Sequence, residues 1–495
     1  MTEVPDLRIR SIGQHQTADR NGRYVLYWMT AFRRTSWNFS LQRAVQWSRD
    51  LRKPLVVLEA LRCGYRWASD RLHAFVIQGM ADNESRFSHR NVLYYPYLEP
   101  EPGAGRGLLA ELARHACVVV SDDFPSFFLP RMIQSAAVQI TTRFELIDSN
   151  GLLPLRAAER TFARAFDFRR FLQRNLQPYL ESDARPQEDP LQDCRLPVMK
   201  DLPKAVERRW PAAKPAEIVA RPQRLNRFPI DHAVRPAATA GGTIAAERAL
   251  RTFLERKLAK YADSRNEPDA DVTSHLSPYL HFGHLSVHQV FAETMQQAGW
   301  SMDRISAKVN GSSTGWWGVQ EHVESFLDQL ITWRELGYNM CSRNGDYDRY
   351  ESLPAWARQT LAEHADDPRE FVYTLDEFES ARTHDQLWNA AQRQLVREGR
   401  IHNYLRMLWG KKVLEWSASP QKALDVLLEL NNKYALDGRN PNSYSGILWV
   451  LGRYDRAWGP ERLVFGKIRY MSSDNTARKL RVAGYLQRYG PEETG

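Results

Sequence analysis

The chain has 495 residues, 43% of them apolar and 26% charged, with a formal net charge of +9. That length exceeds what one hydrophobic core usually serves, so two domains are expected, and the composition excludes a disordered or fibrous chain. No apolar run reaches the roughly 18–20 residues that span a bilayer. The four cysteines (Cys63, Cys117, Cys194 and Cys341) lie far apart, without metal-ligand or disulfide-scaffold spacing.

The opening MTEVPDLRIR has no apolar signal-peptide core. A cytoplasmic protein with reduced thiols is therefore expected. RYVLYWM (23–29), PLVVLEAL (54–61), NVLYYPY (91–97) and CVVVSDD (117–123) read as buried strands, with helical stretches near 37–52, 69–88, 105–115 and 126–137 between them. Such alternation predicts a parallel sheet covered on both faces. PGAGRG (102–107) does not complete a dinucleotide fingerprint, because position 108 is Leu, and reads as a turn before a helix. Between Pro178 and Pro236 lie ten of the 26 prolines and few periodic apolar runs. This is expected to be a connector running over the surface. From Thr243 onward the pattern is helical and holds ten of the fifteen tryptophans. The expected division is an α/β domain over 1–155, a connector over 156–242 and a helical domain over 243–495.

Within the helical part, TSHLSPYLHFGHLS (273–286) sets Thr273, Ser274 and Ser277 ahead of a proline-initiated helix. Hydroxyls and free amides there make either a phosphate-binding corner or simple N-caps. Arg406, Asn431 and Asp437 form a second candidate group. An Arg–Asp pair beside a cofactor can hold an anionic ring system and accept its ring N–H, and the same residues also serve as a structural ion pair or a helix cap. Residues 383–416 carry Trp388, Trp409 and Trp416. Trp409 and Trp416 are seven apart, on one helical face about 10 Å apart along the axis. Gly399 is expected to end the segment that holds Trp388. Closely spaced indoles pack a core, and they can also pass an electron. Between Arg453 and Arg488 nine Lys/Arg stand against three acids, interleaved with Tyr454, Trp458, Phe465, Tyr470 and Tyr485. That pattern suits phosphate neutralisation beside stacking surfaces, and equally a solvated basic face.

VLYWM, SPYLHFG, THDQLWNAAQ, RMLWGKKVLEW, LNNKYALDGRNPN and FGKIRYM follow one another in register. On these motifs the chain resembles the photolyase/cryptochrome family, in particular its class II cyclobutane pyrimidine dimer photolyases. The resemblance covers nearly the whole chain. It implies a Rossmann-like α/β antenna domain, a long linker and an all-helical FAD-binding domain. It also implies light-driven repair of DNA, in which reduced anionic FAD, once excited, passes an electron to a flipped-out dimer and recovers it, with no metal. Tyr261, Thr273, Ser274, Leu276 and Ser277 match positions near the FAD pyrophosphate. Arg406 and Asp437 match the pair flanking the isoalloxazine, and Asn431 the asparagine beside its N5. Trp409, Trp388 and Trp416 match an electron-relay trio, proximal, intermediate and surface-terminal. Met407 and Trp449 match the lesion pocket, and Arg456, Lys467 and Arg469 match contacts to phosphates or to the gap in the helix. UV-damaged DNA is the implied partner of a monomer. An antenna chromophore, a deazaflavin or another, is left open.

The sequence departs from the family pattern in one helix. F-x-E-E-x-aliphatic-aliphatic-R-R-E-L-x-x-N reads FLDQLITWRELGYN (326–339), so Asp328 and Gln329 replace two glutamates and Trp333 an arginine. Either Asp328 or Gln329 takes the dimer-bonding role, and Trp333 adds an aromatic wall. Tyr454 stands where His is usual, and Ser472 where Asn is. Two other functions remain in view. One is a cryptochrome-type photoreceptor, against which only 24 residues follow Met471. The other is (6–4) photoproduct repair, whose histidine pair is not evident at His402–Asn403.

Overall fold

The computed structural model describes residues 3–491. It divides into two compact units: Met1–Glu159, Asn175–Arg251 and His275–Gln297 form the first, and Arg160–Arg174, Thr252–Ser274 and Ala298–Gly495 the second.

The first unit is built on a six-stranded sheet in the order β1-β6-β5-β2-β3-β4. Its strands are β1 (Ile9–Ile12), β2 (Tyr24–Met29), β3 (Leu55–Leu61), β4 (Val92–Leu98), β5 (Ala116–Asp122) and β6 (Arg143–Ile147). Strands β2 to β6 pair in parallel and are the buried runs expected, with β6 added. The expected all-parallel sheet is corrected at its edge, where β1 runs antiparallel to β6. IRSI is short and only half-buried along its length, so it lacks the continuous apolar run by which a two-faced strand is read.

Alternation along the strands feeds two layers. Leu26, Val56, Leu58, Val119 and Phe144 pack on one face with Leu112 and Ile133, while Val25, Tyr27, Val57, Val118 and Val120 pack on the other with Phe39, Leu41 and Val45. The proline-rich stretch contributes to both layers: Leu202, Val206 and Trp210 to the first, Leu191 and Leu196 to the second. It is thus a covering layer anchored by apolar residues, not only a surface connector. The topological switch point lies between β2 and β5, where α/β folds bind ligands. Here Asp122 accepts from the amides of Thr30 (2.8 Å), Ala31 (2.7 Å) and Phe32 (2.9 Å) and from Tyr27 Oη (2.9 Å). A carboxylate of the chain itself therefore fills the amide nest that would otherwise cradle a phosphate.

The second unit is helical. Its functional part comprises α1 (Glu321–Leu327), α2 (Arg334–Arg343), α3 (Ala355–Glu363), α4 (Gln386–Glu398), α5 (Asn403–Trp416), α6 (Pro420–Tyr434) and α7 (Pro441–Val450). Local chemistry sets the ends. Asp385 caps α4 by accepting from Trp388 N (2.9 Å), and Gly399, at φ 70°, closes it as expected. Ser419 caps α6 and Asn440 caps α7, each followed by a proline. Helix α5 is buried on nearly every side, Leu405, Leu408, Trp409, Gly410, Lys411, Val413, Leu414 and Trp416 included. A helix enclosed in this way is fixed by its neighbours rather than by one amphipathic stripe. Gly410 allows α7 to approach, since a Cβ there would lie 2.4 Å from Val450 Cγ2.

Gly337 does the same between α2 and α7: a Cβ would meet Pro441 O at 2.7 Å and Asn442 Cα at 2.8 Å, both backbone atoms that cannot rotate away. Gly337→Ala is expected to lower stability by about 1–3 kcal/mol, in the range of core overpacking. Urea unfolding checks this, and a change within about 0.5 kcal/mol, as at a tolerant surface position, would mean that the helices are not held at that distance.

Candidate functional site

The three tryptophans converge. Trp388 on α4 stacks on Trp409 of α5 at 6.3 Å between ring centroids and 7° between planes, and meets Trp416 edge-on at 6.0 Å and 67°. Trp388 is thus the middle ring, touching both indoles that α5 contributes. Trp388 Nε1 donates to Trp409 O (3.0 Å), and Trp409 Nε1 donates to Gln392 Oε1 (3.0 Å). Both indole N–H groups are satisfied inside the core, as buried ones must be.

The expectation that Trp416 ends at the surface is corrected, since only 3% of it is exposed. It is covered by His384 (4.9 Å between centroids) and Tyr373 (5.7 Å), and Tyr373 N donates to Trp416 O (3.0 Å). Tyr373 Oη and His384 Nδ1 are 2.7 Å apart. The half-buried Tyr373 therefore carries the aromatic run outward. Sequence reasoning singled out neither residue: Tyr373 precedes the tryptophan segment, and His384, though inside it, belongs to no periodic pattern.

One helical turn before Trp409, and on the same face of α5, Arg406 organises a polar node. Its Nη1 lies 3.3 Å from both Asp437 carboxylate oxygens, and its Nη2 donates to Asn431 Oδ1 and to Ser443 Oγ (2.9 Å). Asn431 Nδ2 donates to Asn432 Oδ1 (2.9 Å) and Ser443 Oγ (3.0 Å). Arg406, Asn431 and Asp437, singled out from sequence, thus meet in space. Ser443 and Asn432 complete the group. The Arg406 and Asp437 side chains stay 24% and 19% exposed, whereas Asn431 is buried. The pair keeps an accessible edge while its orientation is set from behind.

The hydroxyl group of residues is divided. Thr273 and Ser274, half-buried, belong to the second unit, and the buried Leu276 and exposed Ser277 to the first. Ser277 opens the short helix Ser277–Phe282, with Pro278 in its first turn. Tyr261 is buried edge-on against Phe253 (5.7 Å) and Phe326 (5.6 Å), and burial raises its phenol pKa.

The departures from the family pattern fall on an irregularity. Asp328–Trp333 winds as a π-helix between α1 and α2, a feature often found at functional sites. Asp328 is held by Arg169 through two bonds (Nε–Oδ1 2.7 Å, Nη2–Oδ2 3.0 Å). Gln329 and Trp333 are half-buried on the same segment. The other two substitutions are absorbed structurally. Ser472 caps the helix Ser473–Lys479. Tyr454 is buried at φ 65° and hydrogen-bonds Ser445, and burial pushes its phenol up to about 12.

Met407 and Trp449 are half-buried on α5 and α7. Two cations face the Trp449 ring: Lys411 Nζ at 4.7 Å and the Arg469 guanidinium at 5.6 Å. Arg469 also lies 4.1 Å over Trp458, and Asp455 grips it at 2.8 and 3.2 Å. Arg456 is exposed and stacks 4.5 Å over Trp458, while Lys467 pairs with Glu461 at 3.1 Å.

Over 482 residues the chain is 33% identical to the deoxyribodipyrimidine photo-lyase of Methanothermobacter thermautotrophicus, spanning 97% of each protein. The chain belongs to the photolyase/cryptochrome family. The fold agrees with that of other family members. A bacterial class III photolyase from Agrobacterium tumefaciens matches with a TM-score of 0.67 at 16% identity, over 96% of this chain and 87% of its own. The cryptochrome of Synechocystis sp. PCC6803 matches with a TM-score of 0.67 at 14% identity, over 94% and 88%. No family model matches the chain.

Lys411 is an unusual element of this site, a fully buried ammonium that donates to Val450 O (2.6 Å). Burial, only partly opposed by Asp455, pushes it down to about 7, and Arg469 adds to the shift. The folded state therefore binds fewer protons than the unfolded chain between about pH 7 and the usual lysine range, so stability from this group rises with pH across that window. Lys411→Met removes the buried charge. The stability of the wild type relative to that variant is expected to improve by about 2–3 kcal/mol from pH 6 to pH 9. Urea unfolding at the two pH values measures it, and a pH-independent difference would refute the buried-cation account.

Proposed function

We propose that this chain splits cyclobutane pyrimidine dimers in DNA in a light-dependent reaction, with FAD held in the second unit. The observation that carries this reading is the placement of two chemistries one turn apart on α5: the half-open Arg406–Asp437 node and the stacked indoles that begin at Trp409. The donor set fits a flavin. A fixed guanidinium favours an anionic ring, a carboxylate beside it accepts a ring N–H, and a buried carboxamide, Asn431, serves a ring atom whose protonation changes. Tyr261, Thr273 and Ser274 are the proposed partners of the pyrophosphate end within that unit. When bound, FAD supplies the light absorption and one-electron chemistry that side chains lack.

The residues of the chain do the rest. Arg406 holds negative charge in place, and Asn431 and Ser443 stop its guanidinium from turning away. Trp409, Trp388 and Trp416, continued by Tyr373, form a route for single electrons from outside to the cofactor. Met407, Trp333 and Trp449 wall the pocket for an extruded dimer, an extrusion that is cheapest where damage has already weakened stacking. Between the two candidates for hydrogen-bonding the dimer, Gln329 is favoured. The Asp328 carboxylate is already satisfied by Arg169, and freeing it would leave a half-buried charge pair broken. Arg456 and Lys467 are the proposed phosphate contacts. Arg469 joins them only by leaving Asp455.

The reading is tested by incubating FAD-loaded, chemically reduced protein with an oligonucleotide carrying one thymine dimer, in light and in darkness. Dimer splitting is expected only in light, with Gln329→Ala lowering the yield more than Asp328→Asn. No splitting in light despite bound FAD would contradict it and would favour a photoreceptor within the same family.

A further inference from the structure

Lys411 is completely buried on α5, and no step of the repair chemistry above uses it. Its ammonium donates to Val450 O (2.6 Å), the final carbonyl of α7. The other carbonyls of that turn are satisfied by backbone amides: Leu448 O accepts from Leu451 N (3.0 Å) and Arg453 N (3.1 Å), and Trp449 O from Gly452 N (3.0 Å). A neutral donor would serve Val450 as well, without the cost of burying a charge. Among the described residues no carboxylate touches Lys411. Asp455, whose charge acts on it, is gripped by Arg469 (2.8 and 3.2 Å). The fold thus carries an uncompensated cation in its interior, and the Trp449 ring lies 4.7 Å from it.

Its position gives that charge a use. Met407 and Lys411 are four apart and share one face of α5, and the Trp449 ring faces Lys411, so the ammonium stands behind the wall proposed for the extruded dimer. Arg406, five residues earlier, lies about 7.5 Å back along the helix axis, at the node proposed for the flavin. We propose that Lys411 is an electrostatic positioning residue, whose charge acts through Trp449 to hold the transferred electron on the dimer until its ring opens. This rests on the DNA-repair reading above. A dimer that has accepted an electron is an anion. A cation at the dimer end of the electron's path favours the electron there, and the buried setting leaves its field weakly screened. The same charge offsets the negative end of the α7 dipole, which finishes beside Trp449. Lys411 forms and breaks no bond in this role. The electron returns once the ring has opened, so there is no net oxidation or reduction.

Burial pushes the ammonium down to about 7, so its charge is present at pH 6 and gone at pH 9. The charged groups that act on it, Asp455 and Arg469, are paired with each other, and Lys412 beside it pairs with Glu415 (2.7 Å). The test compares splitting per absorbed photon at the two pH values, using the FAD-loaded, chemically reduced chain saturated with a thymine-dimer oligonucleotide. The wild type should be about twofold more efficient at pH 6. Lys411→Met should show the lower efficiency at both values, and Lys411→Arg, charged throughout, the higher one at both. Affinity for the oligonucleotide, read by fluorescence anisotropy, should not change, because the charge acts only once the electron has moved. In the cofactor-free chain, Trp449 fluorescence, taken as wild type minus Trp449→Phe, should titrate with the same midpoint and lose that transition in Lys411→Met. Equal wild-type efficiency at pH 6 and pH 9, a result that needs no variant to fold, overturns the role and leaves the repair reading intact. A pH dependence that persists in Lys411→Met overturns it as well. Absence of light-dependent splitting by the wild type itself overturns the repair reading and this role together.

Discussion

The bond from Trp388 Nε1 to Trp409 O, 3.0 Å long and wholly buried, sets the register of α4 on α5. An indole N–H in an apolar interior must find an acceptor or lose the energy of its hydration. Here the acceptor is a backbone carbonyl of the helix on which the indole stacks. A slide of one helix along the other would break the hydrogen bond and the ring stack together. Everything assigned to α5 depends on that register. Arg406 faces the polar node, Trp409 and Trp416 flank Trp388, and Lys411 lies against Trp449.

Helix α5 carries both the polar node and two of the three stacked indoles. It is enclosed, so its side chains are positioned by packing from several directions, and α7 comes close because Gly410 and Gly337 leave room for it. Burial also makes the site's charges consequential. Arg406 is pinned by Asp437, Asn431 and Ser443, so its guanidinium would need little reorganisation beside an anion. Lys411 is the opposite case, an ammonium without a carboxylate in contact that the fold tolerates under an aromatic face.

Much of this was legible in the sequence because the relevant signals are local. Continuous apolar runs gave β2 to β5, Gly399 gave the end of α4, and the order of motifs carried the family. The edge strand β1 was not legible, because IRSI looks like loop sequence and acquires its strand character only from its partner β6. The node was foreseen in Arg406, Asn431 and Asp437, but Ser443 and Asn432 were not, since a serine or a second asparagine announces nothing until the chain folds back. The same holds for Arg169, whose ion pair with Asp328 joins residues 159 apart and is the ground on which Gln329 is proposed over Asp328. The burial of Trp416 was misjudged because helical spacing gives a face and not what covers it. His384 and Tyr373 arrive from outside the helix.

The central claim is that the stacked indoles form the electron route to the cofactor. Its most direct test is photoreduction of oxidised FAD in Trp409→Phe under continuous illumination with an external reductant, alongside dimer repair by the same variant after chemical reduction. The account predicts that photoreduction is lost while repair by the pre-reduced variant stays close to wild type. Photoreduction at the wild-type rate would contradict it and would leave the trio as an aromatic core and nothing more.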